Sequence, residues 1–328
     1  MSISSPLLEP ERSREHKRRN RVHSVLLVVG IGLIMLVSAS LIWSWTGALM
    51  ALLLAFALAA FGPRVPPEVI MRLYRARPLD ARHGSQLMHI AEVLADRAEL
   101  PAHPRLYVVP SMTLNAFATG RPDQAAIALT EGLLRKLSLR EVAGVLAHEM
   151  SHIRNNDLFV MGLADIMTRY TQVMSYVALL LAILNVPSLL FGGRTFSWTA
   201  ILLLYSAPAI SSLLQLGLSR TREYDADLEA AGLTGDPLGL ASALRSLERH
   251  QGRFWEDLML PVPGRRIPQP SVLRSHPDIE DRIARLLELQ RRPQLATPIK
   301  VVDEPMFSLV GVGPIELAPR YRWPGVWF

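Results

Sequence analysis

The chain has 328 residues, half of them hydrophobic, with 20% charged and a net charge of +6. That balance argues against an ordinary water-soluble domain, and the absence of cysteine excludes disulfides and thiolate metal sites. Nucleic-acid binding is not expected either: the basic run "ERSREHKRRNR" comes with no nucleic-acid-binding module.

In chain order, residues 1–21 form a basic tail with six Lys and Arg in that run. Such a tail beside an apolar segment reads as a cytoplasmic anchor facing anionic lipid. Residues 22–62 contain no Asp, Glu, Lys or Arg, which is enough for two helical crossings at ~20 residues each. "VSAS" at 37–40 resembles a signal cleavage site, but the apolar sequence runs on past it, so an uncleaved membrane hairpin is expected. Residues 63–169 are the first half of a soluble domain. "PPEVIMRLYRAR" and "GSQLMHIAEVLADRAEL" have helical spacing, and 104–110 and 124–130 are β-prone, with "NAFATG" at 115–120 between them. A second helix should begin at Thr130.

The spacing predicts a well-capped helix over 138–156. Ser138 and Glu141 form a capping box, and Leu139, Val142, Leu146, Met150 and Ile153 make an apolar stripe. Tyr170–Gly193 and Thr195–Ser219 are again charge-free, so 170–219 reads as a second membrane hairpin, kinked at Pro187 and Pro208. Residues 220–292 are the second half of the soluble domain, with a helix near 278–289. The proline-rich tail 293–328 reads as extended or as a small strand element, without assigned chemistry. Arg64, Arg72, Arg75 and Arg77 follow the first hairpin, and Arg220 and Arg222 follow the second. The positive-inside tendency places everything outside the hairpins on the cytoplasmic side.

"VLAHEMSHIRNND" at 145–157 carries the chemistry. His148 and His152, four apart on a helix, aim at one point, at the ~2.0–2.1 Å that zinc prefers. Glu149 is placed to take a proton from an activated water and pass it to a leaving amine. A third protein ligand is required. The HExxHxxGxxH pattern is excluded, because Asn155 and Leu158 stand where glycine and histidine would be. "SRTREYDADLEAAG" offers Glu223 as third ligand, with Asp227 four residues on, to orient a ligand histidine. Asp157 is a weaker rival that reads as the cap of the next helix. Arg220 and Arg222 either neutralise this acidic cluster or mark the membrane boundary, and Arg282 reads equally as an ion-pair partner.

"NAFATG", "LAHEMSHIRNND", "SRTREYDAD" and "SHPDIEDRI" together resemble, in order and approximate spacing, the HtpX-like membrane metalloproteases, relatives of the CAAX prenyl endopeptidases. The resemblance covers about residues 20–290. It implies an α-helical integral membrane protein with about four transmembrane helices and an α+β gluzincin-type protease domain carrying a small sheet. It further implies one Zn2+ per chain and a place in the bacterial inner membrane with the catalytic domain in the cytoplasm. Peptide-bond hydrolysis in misfolded or damaged membrane proteins is the implied activity. On that resemblance Asn115, with Ala116 and Phe117, holds the substrate backbone, and His276 stabilises the oxyanion. The rival readings are a narrow-specificity membrane processing protease and a non-catalytic scaffold that keeps the metal site. The expected partners are protein substrates and the bilayer.

Overall fold

A computed structural model describes residues 66–192, 196–258, 279–290, 298–299, 321–322 and 326–327, with scattered helical positions between Val22 and Leu53. The described residues form two compact units: 66–158 with 222 onward, and 159–221 with the positions between Val22 and Leu53.

In the first unit, helix α1 (Pro67–Leu73) leads into strand β1 (Arg77–Pro78) and helix α2 (Ala81–Arg97). Strands β2 (Arg105–Val109), β3 (Ala116–Thr119) and β4 (Ala126–Thr130) follow. They form one sheet in the order β1-β2-β4-β3. Its central strand β4 is parallel to β2 and antiparallel to β3, and all five of its residues are buried. The stretch 115–120 is therefore more than a link between two strands. It contains the edge strand itself, open on its outer side among the described residues.

Thr130 ends β4 and caps helix α3 (Glu131–Lys136), its hydroxyl accepting from the Leu133 N–H. Helix α4 (Leu139–Arg154) starts at the capping box expected from Ser138 and Glu141, with both reciprocal hydrogen bonds present. Its apolar stripe is fully buried: Val142, Leu146 and Met150 are 0% exposed. Asn155 and Asn156 stop it, the latter at φ +55°, a left-handed conformation that asparagine tolerates better than most residues.

Two long helices come next, α5 (Asp157–Phe191) and α6 (Trp198–Thr234). Thr168–Phe191 and Trp198–Thr234 are long and apolar enough to cross a membrane, with mean hydropathies of 2.1 and 1.7. Leu180, Leu190, Phe191 and Leu202 lie exposed along them, a surface suited to hydrocarbon rather than water. Pro187 and Pro208 lie inside these helices. The turn between them is pinned by Asn185, whose buried side chain donates to the Phe196 carbonyl and accepts its N–H at 2.9 and 2.7 Å. Helices that fit two of the four expected spans are thus present among the described residues. The pair expected over 22–62 lies largely outside them, although its described positions are helical, with Val25 and Leu26 exposed.

The last third of α6 returns to the first unit and is followed by α7 (Pro237–Leu258) and α8 (Ile279–Gln290). Ala230, Leu233, Leu240, Ile283 and Leu286 join the core built on α2, α4 and the sheet. In the tail, Ile299 donates its N–H to the Thr234 carbonyl, and a two-strand pair joins β5 (Tyr321–Arg322) to β6 (Val326–Trp327).

Helix α4 packs tightly on α7 at Gly144, where a Cβ would lie 2.9 Å from Cα and N of Leu240. Backbone cannot give way as a flexible side chain can. Gly144→Ala is therefore expected to destabilise by about 1–3 kcal/mol in detergent unfolding experiments. Gly162→Ala meets nothing within 4 Å and should be neutral, or stabilising by up to ~1 kcal/mol.

Candidate metal centre

The core packing of α4 puts His148 and His152 on the side that faces α6, and α6 presents Glu223 to them. One donor atom from each of these three side chains lies within 4.8 Å of the other two. The two Nε2 atoms are 3.2 Å apart. Glu223 Oε2 is 3.4 Å from Nε2 of His148, and its Oε1 is 3.9 Å from Nε2 of His152. Tetrahedral bonds of ~2.0–2.2 Å would separate neighbouring donors by about 3.3–3.6 Å, so the cluster suits a zinc-sized cation.

The other ring nitrogens strengthen that fit. His148 Nδ1 lies 3.0 Å from Oδ1 of Asp227, and His152 Nδ1 lies 2.9 Å from Oδ2 of Asp157. A carboxylate at Nδ1 draws the ring proton to that side and leaves the Nε2 lone pair to face inward. Two lone pairs facing each other at 3.2 Å repel unless a proton or a metal cation sits between them.

Each carboxylate is itself held by a buried arginine. Arg282 on α8 makes a bidentate contact to Asp227, 2.6 Å for each bond, and its Nη1 lies 3.0 Å from Glu223. Arg222 donates to Oδ1 of Asp157. Arg282 therefore acts as an ion-pair partner, and Arg222 neutralises the acidic cluster rather than only marking a boundary. Burial would lower the Arg282 pKa, but Asp227, Glu223 and Glu149 together hold it above its ordinary value. Glu149 thus contributes its charge to the same pocket from its half-buried place next to His148.

Three features of the site were not foreseen. Asp157 opens α5, as its place in the sequence suggested, but it also backs His152. Glu229 on α6 accepts from Ser151, Arg154 and Asn155 at 2.5, 2.6 and 2.7 Å, clamping the end of α4 to the helix that carries Glu223. No motif marks Glu229, since its partners are set by tertiary packing. The third is at the sheet edge. Phe117 packs against Tyr74, the rings tilted and their centroids 4.8 Å apart, within the small cluster around Met71 and Val109, whereas Ala116 and Ala118 belong to the main core with α4. Strand alternation therefore turns the Phe117 side chain to the face opposite the metal helix. Asn115 is exposed at the start of that edge. His276 lies outside the described residues.

Burial would lower the pKa of His148, but its contacts with Asp227 and Glu223 and their charges outweigh this and raise it to about 10. The sign follows for two measurements. A raised folded pKa stabilises the metal-free protein fully below the ordinary 6.5 and loses that stabilisation as pH rises through about 10. Thermal unfolding in chelator should therefore shift to lower temperature at high pH. Zinc affinity should move the opposite way, weakening by about tenfold per pH unit on acidification for each proton the ion must displace. Competition with a chelating dye reads this directly.

The model of Peptidase family M48 matches residues 81–290, a span that includes α4, Glu223, Asp227 and Arg282. The Protease HtpX homolog of Desulfatibacillum aliphaticivorans is 34% identical over 283 residues, covering 81% of this chain and 89% of that protein. The Protease HtpX homolog of Acaryochloris marina (strain MBIC 11017) is 39% identical over 246 residues, covering 70% and 82% respectively. The crystal structure of S. mikatae Ste24p is similar with a TM-score of 0.46 and 21% identity, over 83% of this chain and 66% of that one. Histidines and an acid converging in this way are what a family of metallopeptidases requires, and the chain belongs to Peptidase family M48, among the HtpX-type metalloproteases.

Proposed function

We propose that the protein is a zinc endopeptidase embedded in the bacterial inner membrane. On this reading it cleaves misfolded or damaged membrane proteins from the cytoplasmic side. The observation that carries the hydrolytic part is the convergence of His148, His152 and Glu223, with each imidazole backed by its own carboxylate. His148, His152 and Glu223 are the ligands, and Asp227 and Asp157 orient the rings. Zinc, when bound, supplies Lewis acidity that polarises the substrate carbonyl and makes a nearby water acidic.

Glu149 accepts the proton of the attacking water and returns it to the leaving amine nitrogen. His276 donates to the oxyanion as the carbonyl carbon becomes tetrahedral. The substrate lies along β3 as an added strand. Hydrogen bonding along β3 supports this reading, because it leaves backbone atoms facing outward. The Thr130 N–H donates to the Asn115 carbonyl, and Asn115 stands opposite Thr130 in the antiparallel register. Every second residue faces β4 in such a ladder, so Phe117 and Thr119 turn inward and the N–H and C=O of Ala116 and Ala118 turn outward. Asn115 has its backbone committed to Thr130 and offers its side-chain amide. In this arrangement Phe117 is a structural anchor for the edge, not a substrate contact.

The membrane setting is supported by the two apolar helices between Asp157 and Thr234 and by the charge-free run 22–62. The arginines flanking the hairpins support cytoplasmic placement of the protease halves.

Purified protein in detergent should degrade an unfolded model substrate in a zinc-dependent manner. Glu149→Gln should bind zinc as wild type does and lose at least ~100-fold in kcat. A non-catalytic scaffold would show no cleavage in either protein, and a processing protease would cut only a defined site. Ala118→Pro removes an outward N–H that β4 does not use, a position where an edge strand tolerates proline. It should raise KM several-fold with little change in kcat, and an unchanged KM would place the substrate elsewhere.

A further inference from the structure

Arg222 precedes Glu223 in the sequence and has no task in the hydrolytic chemistry. Its side chain is only 3% exposed, as is that of Asp157, to whose Oδ1 it donates. The other oxygen of the same carboxylate, Oδ2, faces His152 Nδ1 at 2.9 Å. One guanidinium thus supports one of the three donor groups, His152, through Asp157. Arg282 plays the matching part for His148 through Asp227, while also touching Glu223 directly.

The two arms differ in where they are anchored. Asp227 and Arg282 lie on α6 and α8, well after the second apolar hairpin. Asp157 is the first residue of α5, where the chain leaves for that hairpin, and Arg222 is where it has just returned. Two buried, oppositely charged side chains therefore join the outgoing and returning ends of residues 158–221, and their junction is also the support of a histidine.

We infer that Arg222 is a positioning residue for the metal: it holds Asp157, and through it the His152 ring, in the orientation that presents Nε2 to a divalent cation. A carboxylate held at one oxygen by a buried guanidinium and at the other by a part-buried imidazole has a fixed plane, and the imidazole inherits that orientation. Removal of the guanidinium frees one oxygen of Asp157, so the carboxylate turns and the ring it steered loses its aim. The same logic makes metal affinity depend on the two hairpin ends being joined.

This inference rests on His148, His152 and Glu223 being the ligands, and the test separates the two claims. Full-length wild type, Arg222→Met, Arg222→Lys and His152→Ala are purified in detergent, with Arg140→Met as control. That control removes an ion pair to Asp236 elsewhere in the same unit. Zinc affinity is measured by dye competition, and the ligand field by the visible spectrum of the Co2+-loaded protein. Arg222→Met should weaken zinc binding by about 10–100-fold and alter the Co2+ spectrum. Arg222→Lys, which keeps the charge, should recover part of both. Arg140→Met should lower the unfolding temperature and leave affinity and spectrum unchanged. Wild-type affinity and spectrum in Arg222→Met, with His152→Ala defective, overturns the positioning role alone. Wild-type affinity in His152→Ala overturns the ligand assignment and the inference with it.

Discussion

Two imidazole Nε2 atoms 3.2 Å apart, a spacing that needs a proton or a metal cation between them, are the interaction on which the candidate metal site depends. Without that shared cation the arrangement is unfavourable, and an unsupported pair of side chains would rotate apart. Here the rotation is blocked from behind. Asp227 and Asp157 hold the outer nitrogens, and Arg282 and Arg222 hold those carboxylates. Three buried carboxylates, Glu223 included, face two buried guanidinium groups. The pocket is left with a charge deficit that a divalent cation would fill, while the arginines hold the two aspartates as hydrogen-bond acceptors.

That arrangement needs α4 to be rigid and fixed in register against α6. Rigidity comes from the capping box at one end, the fully buried stripe along its length and the Asn156 turn at the other end. Register comes from Glu229, which gathers three donors from the last turn of α4 onto α6. On the opposite side, Ala116 and Ala118 of the edge strand pack into the core with α4. The backbone that would bind substrate and the helix that would bind metal are therefore fixed by the same packed layer. Thr130 tightens this further, since its hydroxyl meets the Asn115 N–H, the carbonyls of Thr113 and Asn115, and the Leu133 N–H.

Much of this was legible because it is local. Helical spacing of two histidines, a capping box, an acid four residues before an aspartate and β-branched runs between prolines all report their structure within one or two turns. What escaped reading depends on the second partner. Asp157 looks like a helix cap, and it does open α5, but the imidazole above it comes from the preceding helix and the guanidinium from 65 residues away. Glu229 sits in an acidic stretch that reads as a solvated face until α4 is laid against it. "NAFATG" is too short and too small in side-chain volume to announce a strand, and its register with β4 decides that Phe117 turns away. Charge-free length betrays the long helices at once, yet nothing local reveals that Asn185 pins the turn between them.

The chain order has a physical consequence of its own. The histidines precede the second apolar hairpin and the third donor follows it, so no part of the metal site is complete until residues 158–221 have gone out and come back. Loop closure over such a length costs entropy that grows only slowly with length, but it must be offset at the junction. Buried, mutually satisfied groups at that point do so: Asp157 to Arg222, Glu229 to the end of α4, and Glu223 to Arg282. Because those groups are also the candidate ligands and their supports, closing the junction and assembling the candidate metal site would be one event. A chain whose hairpin has not folded back has two histidines on a helix and nothing opposite them, and so cannot cut peptide bonds before it is assembled.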